Sequence, residues 1–272
     1  MQVLRVGLAC CALVVASLVA GPAAAAPRAI PDGYAVAAHP PFVVVAPKAQ
    51  LQRYVEGLVG WTVARLKQDF FSRDPAETID VWLLADAATY QRVAKELTGE
   101  APDTPYGFYS PRSRALIMNI ATGGGTLVHE IVHPYMRTNF PKAPAWYNEG
   151  LGSLFEQAGE RDGHIIGHTN WRLAGLQRAI REQRTMDFAT LCALDDTAFY
   201  ADDRGIHYSQ SRYLLYYLQE QGLLLEFHRR FLQNRATDPT GVKTLRRVLG
   251  IADLKAWRPV WERYVMALRF DG

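Results

Sequence analysis

The chain has 272 residues, a formal net charge of +3 and 49% hydrophobic residues, a balance that fits a folded chain with a sizeable core and excludes a disordered or fibrous one. The charge is too small for a nucleic-acid binder, and Arg229, Arg230, Arg235, Arg246 and Arg247 recur among apolar helical positions as solvated helix faces, not as a basic tract. Of the three cysteines, Cys10 and Cys11 fall in a segment expected to be removed and Cys192 remains as a small buried residue, so no internal disulfide is expected.

Arg5 precedes an apolar run over 6–20 and then GPAAAAP. That order predicts a secretory signal peptide over residues 1–25, cut near Ala25, and a secreted or periplasmic protein. The apolar run is short for a bilayer span, and Gly21 and Pro22 follow it at once, so no membrane span is expected after cleavage. Residues 26–41 contain prolines without strong periodicity and read as an N-terminal arm. FVVVA at 42–46 predicts a buried strand. Over 47–71, Leu51, Tyr54, Val55, Leu58, Val59, Val63 and Leu66 recur at three- and four-residue intervals, the pattern of an amphipathic helix. TIDVWLLA at 78–85 predicts a second strand, Asp86 an N-cap, and 87–97 a helix that Gly99 ends. The β-prone runs at 106–109 and 115–120 flank a Ser-Pro-Arg-Ser turn and make a candidate hairpin. From Gly125 the pattern is helical, apart from GERDGHIIGHT at 159–169, where Asp162-Gly163 suits a two-residue hairpin turn. The layout is α+β: a strand-containing lobe over 42–140, then a mainly helical lobe over 141–272. His39, His164, His168 and His228 carry no role in this reading.

TLVHEIVHPYMRTN holds the chemistry. On a helix, His129 and His133 stand four residues apart, so both rings leave one face and can bind one cation. Leu127, Val128, Ile131 and Val132 would bury that helix. Glu130 points off the two-histidine face yet stays near the cation's open position, where a general base belongs; zinc lowers the pKa of a water molecule to about 7. A catalytic zinc needs a third protein ligand. Pro141 and Pro144 break the chain between two helices, and in the second Glu149 lies among Trp146, Leu151, Leu154 and Phe155, where an unpaired carboxylate is costly and a metal removes the cost. One zinc ion per chain is therefore expected on His129, His133 and Glu149. Glu156, two turns further on nearly the same face, either orients a histidine or is an ordinary exposed carboxylate, the second being the expectation.

HEIVH at 129–133 with NEG at 148–150 resembles the gluzincin metallopeptidases, and bacterial peptidase MA-like domains in particular. The resemblance implies a thermolysin- or aminopeptidase-like catalytic domain, zinc on the two histidines and Glu149, Glu130 as general base, and a peptide or protein substrate. Aminopeptidase N-like members carry an oxyanion-stabilising tyrosine roughly sixty residues past the third ligand, a place that Tyr208 occupies, with His207 as competitor for the donor role. Tyr213, Tyr216 and Tyr217 also make Tyr208 readable as one of many aromatics on its helix. The strand at 115–120 is the candidate edge on which a substrate aligns by main-chain hydrogen bonds, and ATGGGT at 121–126 either keeps that edge open or lets backbone pack on the helix start. The glycine-alanine-methionine-glutamate-asparagine segment of aminopeptidases has no counterpart in MNIATGGG, so endopeptidase-like action is implied. Two other functions suit the same residues: a non-catalytic, zinc-stabilised module holding peptides or cell-wall fragments, and an amidase acting on peptidoglycan.

Overall fold

Five short β-prone runs pair into one sheet: β1 (Tyr34–His39), β2 (Phe42–Pro47), β3 (Ile79–Leu84), β4 (Gly107–Ser110) and β5 (Ala115–Asn119), in the order β1-β2-β3-β5-β4. The computed structural model describes residues 29–201 and 205–270. The predicted signal peptide lies outside them. The chain divides into compact units at 1–31 and 32–272, and every element named here belongs to the second. β2, β3 and β5 run parallel, while β1 and β4 close the two edges antiparallel.

Two expectations are corrected by this sheet. The arm at 26–41 contains β1, which pairs with β2 along its whole length from Tyr34 opposite Pro47 to His39 opposite Phe42. YAVAAH lies half-exposed on an edge, so it lacks the clean apolar alternation by which a strand is read from sequence. The strand at 115–120 is no edge: β5 bonds β3 on one side and β4 on the other, and β4 presents the free edge. Full burial of all five β5 residues follows from that interior place.

Strand alternation divides the apolar residues between two cores. Phe42, Val44, Val81, Leu83, Leu116 and Met118 point to the main core, which continues into both the strand-bearing and the helical parts of the chain. Val45, Trp82, Leu84, Ala115 and Ile117 point to the other face, which α2 (Ala87–Thr98) covers with Tyr90, Val93 and Ala94. Asp86 caps α2 by accepting from Thr89 N at 2.8 Å, and Gly99 ends it with φ of 90°. The amphipathic run before β3 forms one helical stretch, wide π-type turns over Arg53–Gly60 leading into α1 (Trp61–Asp69).

The helical part begins with α3 (Gly125–Asn139) and α4 (Ala145–Leu154), separated by the predicted proline break. Next comes the hairpin of β6 (Ala158–Arg161) and β7 (His164–Gly167), with Asp162 and Gly163 at φ of 53° and 81°, the paired positive values of a tight hairpin turn. The chain continues through α5 (Arg172–Arg181), α6 (Phe188–Ala193), α7 (Asp196–Tyr200), α8 (Ile206–Glu220), α9 (Leu224–Asn234), α10 (Val242–Leu249) and α11 (Leu254–Ala267). α4 lies against α8 so closely that a Cβ on Gly150 would meet Ser211 Cβ at 3.1 Å. Trp146 and Tyr147 of α4 pack with Phe140, Phe227 and Phe231, tying α4 to α9. No helix among the described residues is long and apolar enough to cross a membrane.

Candidate metal centre

α3 buries Leu127, Val128, Ile131, Val132, Tyr135 and Met136 in the main core. That fixes its rotation and turns the face bearing His129 and His133 toward α4, with ring centroids 4.9 Å apart. Glu149 reaches them from α4: its Oε2 lies 3.2 Å from His129 Nε2 and 3.8 Å from His133 Nε2. Ligand atoms sharing one tetrahedral zinc at 2.0–2.1 Å stand about 3.3 Å apart, so both separations come within about 0.5 Å of such an arrangement. Glu149 is thus brought close to each of the two predicted histidine ligands.

Glu130 is also near, its Oε2 3.8 Å from His133 Nε2, and one ligand atom from each of His129, Glu130 and His133 falls within 4.8 Å of the others. By mutual distance the cluster that closes is the one with Glu130, while Glu149 approaches each imidazole separately; the surroundings of the two carboxylates differ. Glu149 faces both imidazoles with Oε2 and accepts a hydrogen bond from the Tyr200 hydroxyl on Oε1 at 2.7 Å. Glu130 lies beside the edge strand, drawing on the backbone N–H of Tyr109, and lines the cleft. Pro134, next to His133, lacks the N–H that would otherwise bond the Glu130 carbonyl within α3.

Glu156 is not the exposed carboxylate expected. It is 7% exposed and held by a two-pronged pair, Arg172 Nε to Oε2 at 2.8 Å and Arg172 Nη2 to Oε1 at 2.6 Å, with Asn170 Nδ2 donating to Oε2 at 3.0 Å. The helical spacing from Glu149 does not reveal this partner, because the β6–β7 hairpin stands between Glu156 and Arg172 in the chain. Glu156 Oε1 lies 3.3 Å from His129 Nδ1, too poorly aligned for a hydrogen bond, so that buried nitrogen has none.

Glycine makes these approaches possible. A Cβ on Gly125 would lie 2.0 Å from the Glu156 carbonyl oxygen, and one on Gly152 would lie 3.0–3.1 Å from three atoms of the His129 ring. Gly125 thus decides between the two readings of ATGGGT: backbone packs against backbone at the start of α3.

The electrostatics suit a cation. Burial pushes the Glu130 carboxyl up, although His129 and His133 oppose it. Burial pulls His129 down, but Glu149 and Glu156 outweigh it and hold the imidazole at about 10. Burial likewise raises Glu149 and Glu156, yet the two histidines bring the first, and Arg172 with His129 the second, to about 2. Two buried carboxylates and the half-buried Glu130 around two imidazoles, with Arg172 spent on Glu156, form a site where a divalent ion offsets the cost of burying charge. Two imidazole nitrogens and one carboxylate oxygen are the donor set of a catalytic zinc site with an open position.

Comparison with protein-family models, with curated proteins and with solved structures finds no match. What the centre can do therefore follows from its own geometry and donor chemistry. It lines a cleft of about 1280 Å³ whose walls include Gly107 and Tyr109 of the β4 edge, Trp171, Tyr200 and Tyr208. Tyr208 lines that cleft, with the Arg172 guanidinium 5.4 Å from its ring centroid, and burial with the Glu149 charge pushes its phenol up. His207 is not in the cleft wall: it is buried, and its Nδ1 meets the Phe199 carbonyl at 2.9 Å. It does not compete with Tyr208. Tyr200 is the functional candidate that sequence reasoning missed. Its only local signal is the cap that Asp195 provides for the short helix α7, which says nothing of Glu149.

Two of the remaining histidines have structural partners. His164 Nδ1 meets Asp69 Oδ1 at 2.6 Å, and His228 is buried between Tyr147 and the Phe70 carbonyl. Cys192 is buried and unpaired, as expected.

Proposed function

We propose that this chain is an exported zinc-dependent hydrolase of peptide bonds, of gluzincin type with a thermolysin- or aminopeptidase-like catalytic domain, holding one zinc ion on His129, His133 and Glu149. The observation that carries the reading is the approach of Glu149 Oε2 to both His129 Nε2 and His133 Nε2 in a cleft that Glu130 also lines. When bound, zinc supplies Lewis acidity that brings a water molecule's pKa to about 7 and polarises a carbonyl. Glu130 takes that water's proton and delivers it to the departing amine, for which a carboxyl raised by burial is suited. The backbone groups of β4 that face away from β5, apart from the Tyr109 N–H on which Glu130 draws, align an extended peptide by adding it as a further strand. Tyr208, facing the same cleft, donates to the oxygen on which negative charge develops.

The test is metal content by mass spectrometry beside turnover of a peptide panel and of muropeptides. Wild-type protein is expected to hold about one zinc, with His133→Ala and Glu149→Ala losing it. Glu130→Gln is expected to keep the metal and lose at least about 100-fold in turnover; undiminished turnover in that variant refutes the assigned base. Zinc without turnover of any substrate returns the chain to a binding module, and turnover of muropeptides alone makes it a peptidoglycan amidase.

A further inference from the structure

Tyr200 is 49% exposed, yet its hydroxyl is turned inward onto a carboxylate that is 5% exposed, donating to Glu149 Oε1 at 2.7 Å. The two oxygens of Glu149 thus have separate partners, since Oε2 faces His129 Nε2 and His133 Nε2. The mount of Tyr200 is rigid on one side. Asp195 caps α7 by accepting from Ala198 N at 2.8 Å. Phe199 is fully buried and its carbonyl meets His207 Nδ1. The Tyr200 ring rests edge-on against Phe199, with centroids 5.6 Å apart. A buried residue therefore anchors the main chain immediately before a side chain that projects into the cleft and closes on Glu149.

A carboxylate with one free oxygen can bind a cation through either oxygen or through both. Binding through both fills a coordination position, and a catalytic zinc site needs one left open. Hydrogen-bond partners of metal-binding residues set which atom is offered and in what orientation. We propose, resting on the zinc reading above, that Tyr200 is a positioning residue: by occupying Oε1 it makes Glu149 a one-oxygen ligand and keeps the cleft side of the metal open. Tyr200 then acts through Glu149, a carboxylate that the Tyr208 phenol, with its ring by Arg172, also approaches.

Tyr200→Phe removes one hydroxyl and keeps the ring on Phe199. Zinc affinity is measured by competition with a chromophoric chelator, and the visible absorption of the cobalt(II)-loaded protein is recorded for wild type and variant. Zinc affinity is expected to fall about 10- to 100-fold. The cobalt bands are expected to weaken, the mark of a fifth ligand atom once both Glu149 oxygens bind, which a loss of packing alone would not produce. An unchanged cobalt spectrum with unchanged zinc affinity overturns the assignment to Tyr200 and leaves the zinc reading intact. A wild-type protein that takes up neither metal overturns both.

Discussion

Replacing Gly152 with alanine drives a methyl group into His129. Its Cβ would stand 3.0 Å from Cδ2, 3.0 Å from Nε2 and 3.1 Å from Cε1 of that ring, against a carbon–carbon optimum of about 3.5–4.0 Å. The ring must yield by several tenths of an ångström, and Nε2 is the atom that faces Glu149. Two effects on folding oppose each other. Alanine favours the helix over glycine by about 0.8–1.0 kcal/mol, while overpacking a core costs about 1–3 kcal/mol, so the metal-free protein is expected to lie between unchanged and about 2 kcal/mol less stable. On the proposed zinc site, displacing Nε2 carries a separate cost, an expected fall of about 10- to 100-fold in zinc affinity. Gly175→Ala is the control: nothing lies within 4 Å of a Cβ there, so only the helix term acts, and the variant is expected to gain up to about 1 kcal/mol with unchanged zinc affinity. Urea unfolding of the metal-free proteins gives the first quantity and chelator competition the second. If Gly152→Ala gains as much stability as Gly175→Ala and binds zinc as wild type does, the close approach of α4 to His129 is refuted.

Arg172→Met leaves Glu156 buried and ionised without its cation, a loss of about 3–5 kcal/mol at neutral pH, most of which the double variant with Glu156→Gln is expected to recover; equal stability of single and double variants by urea unfolding would show that the pair is not what holds this turn. His228 supplies a pH signature. Burial pulls its imidazole down to about 4, while Tyr147 O–H donates to Nδ1 and Nε2 donates to the Phe70 carbonyl. Between about 4 and an ordinary 6.5 the unfolded chain binds the extra proton. Stability from this group is therefore full above about pH 6.5 and declines as pH falls toward 4, by about 3 kcal/mol in all. His228→Gln should flatten that part of the stability–pH curve, and a wild-type curve with the same slope as the variant's contradicts the buried neutral state.

Features set by residues a few positions apart were readable in advance. The four-residue interval of His129 and His133, the cap at Asp86, the turn at Asp162-Gly163 and the proline break before α4 each depend on local backbone geometry, which the sequence states directly. So was the cost of burying Glu149 among apolar neighbours, which called for a partner without saying which. The paired oxygens of that carboxylate needed the tertiary structure. Tyr200 lies 51 residues from Glu149, and Arg172 meets Glu156 from beyond a hairpin. Likewise β4 became the free edge because β5 inserted between it and β3. Spacing along a chain determines which side chains share a face of one helix or strand. Which faces meet is settled by how all the apolar faces are buried together, and the partners of Glu149 and Glu156 are a product of that packing.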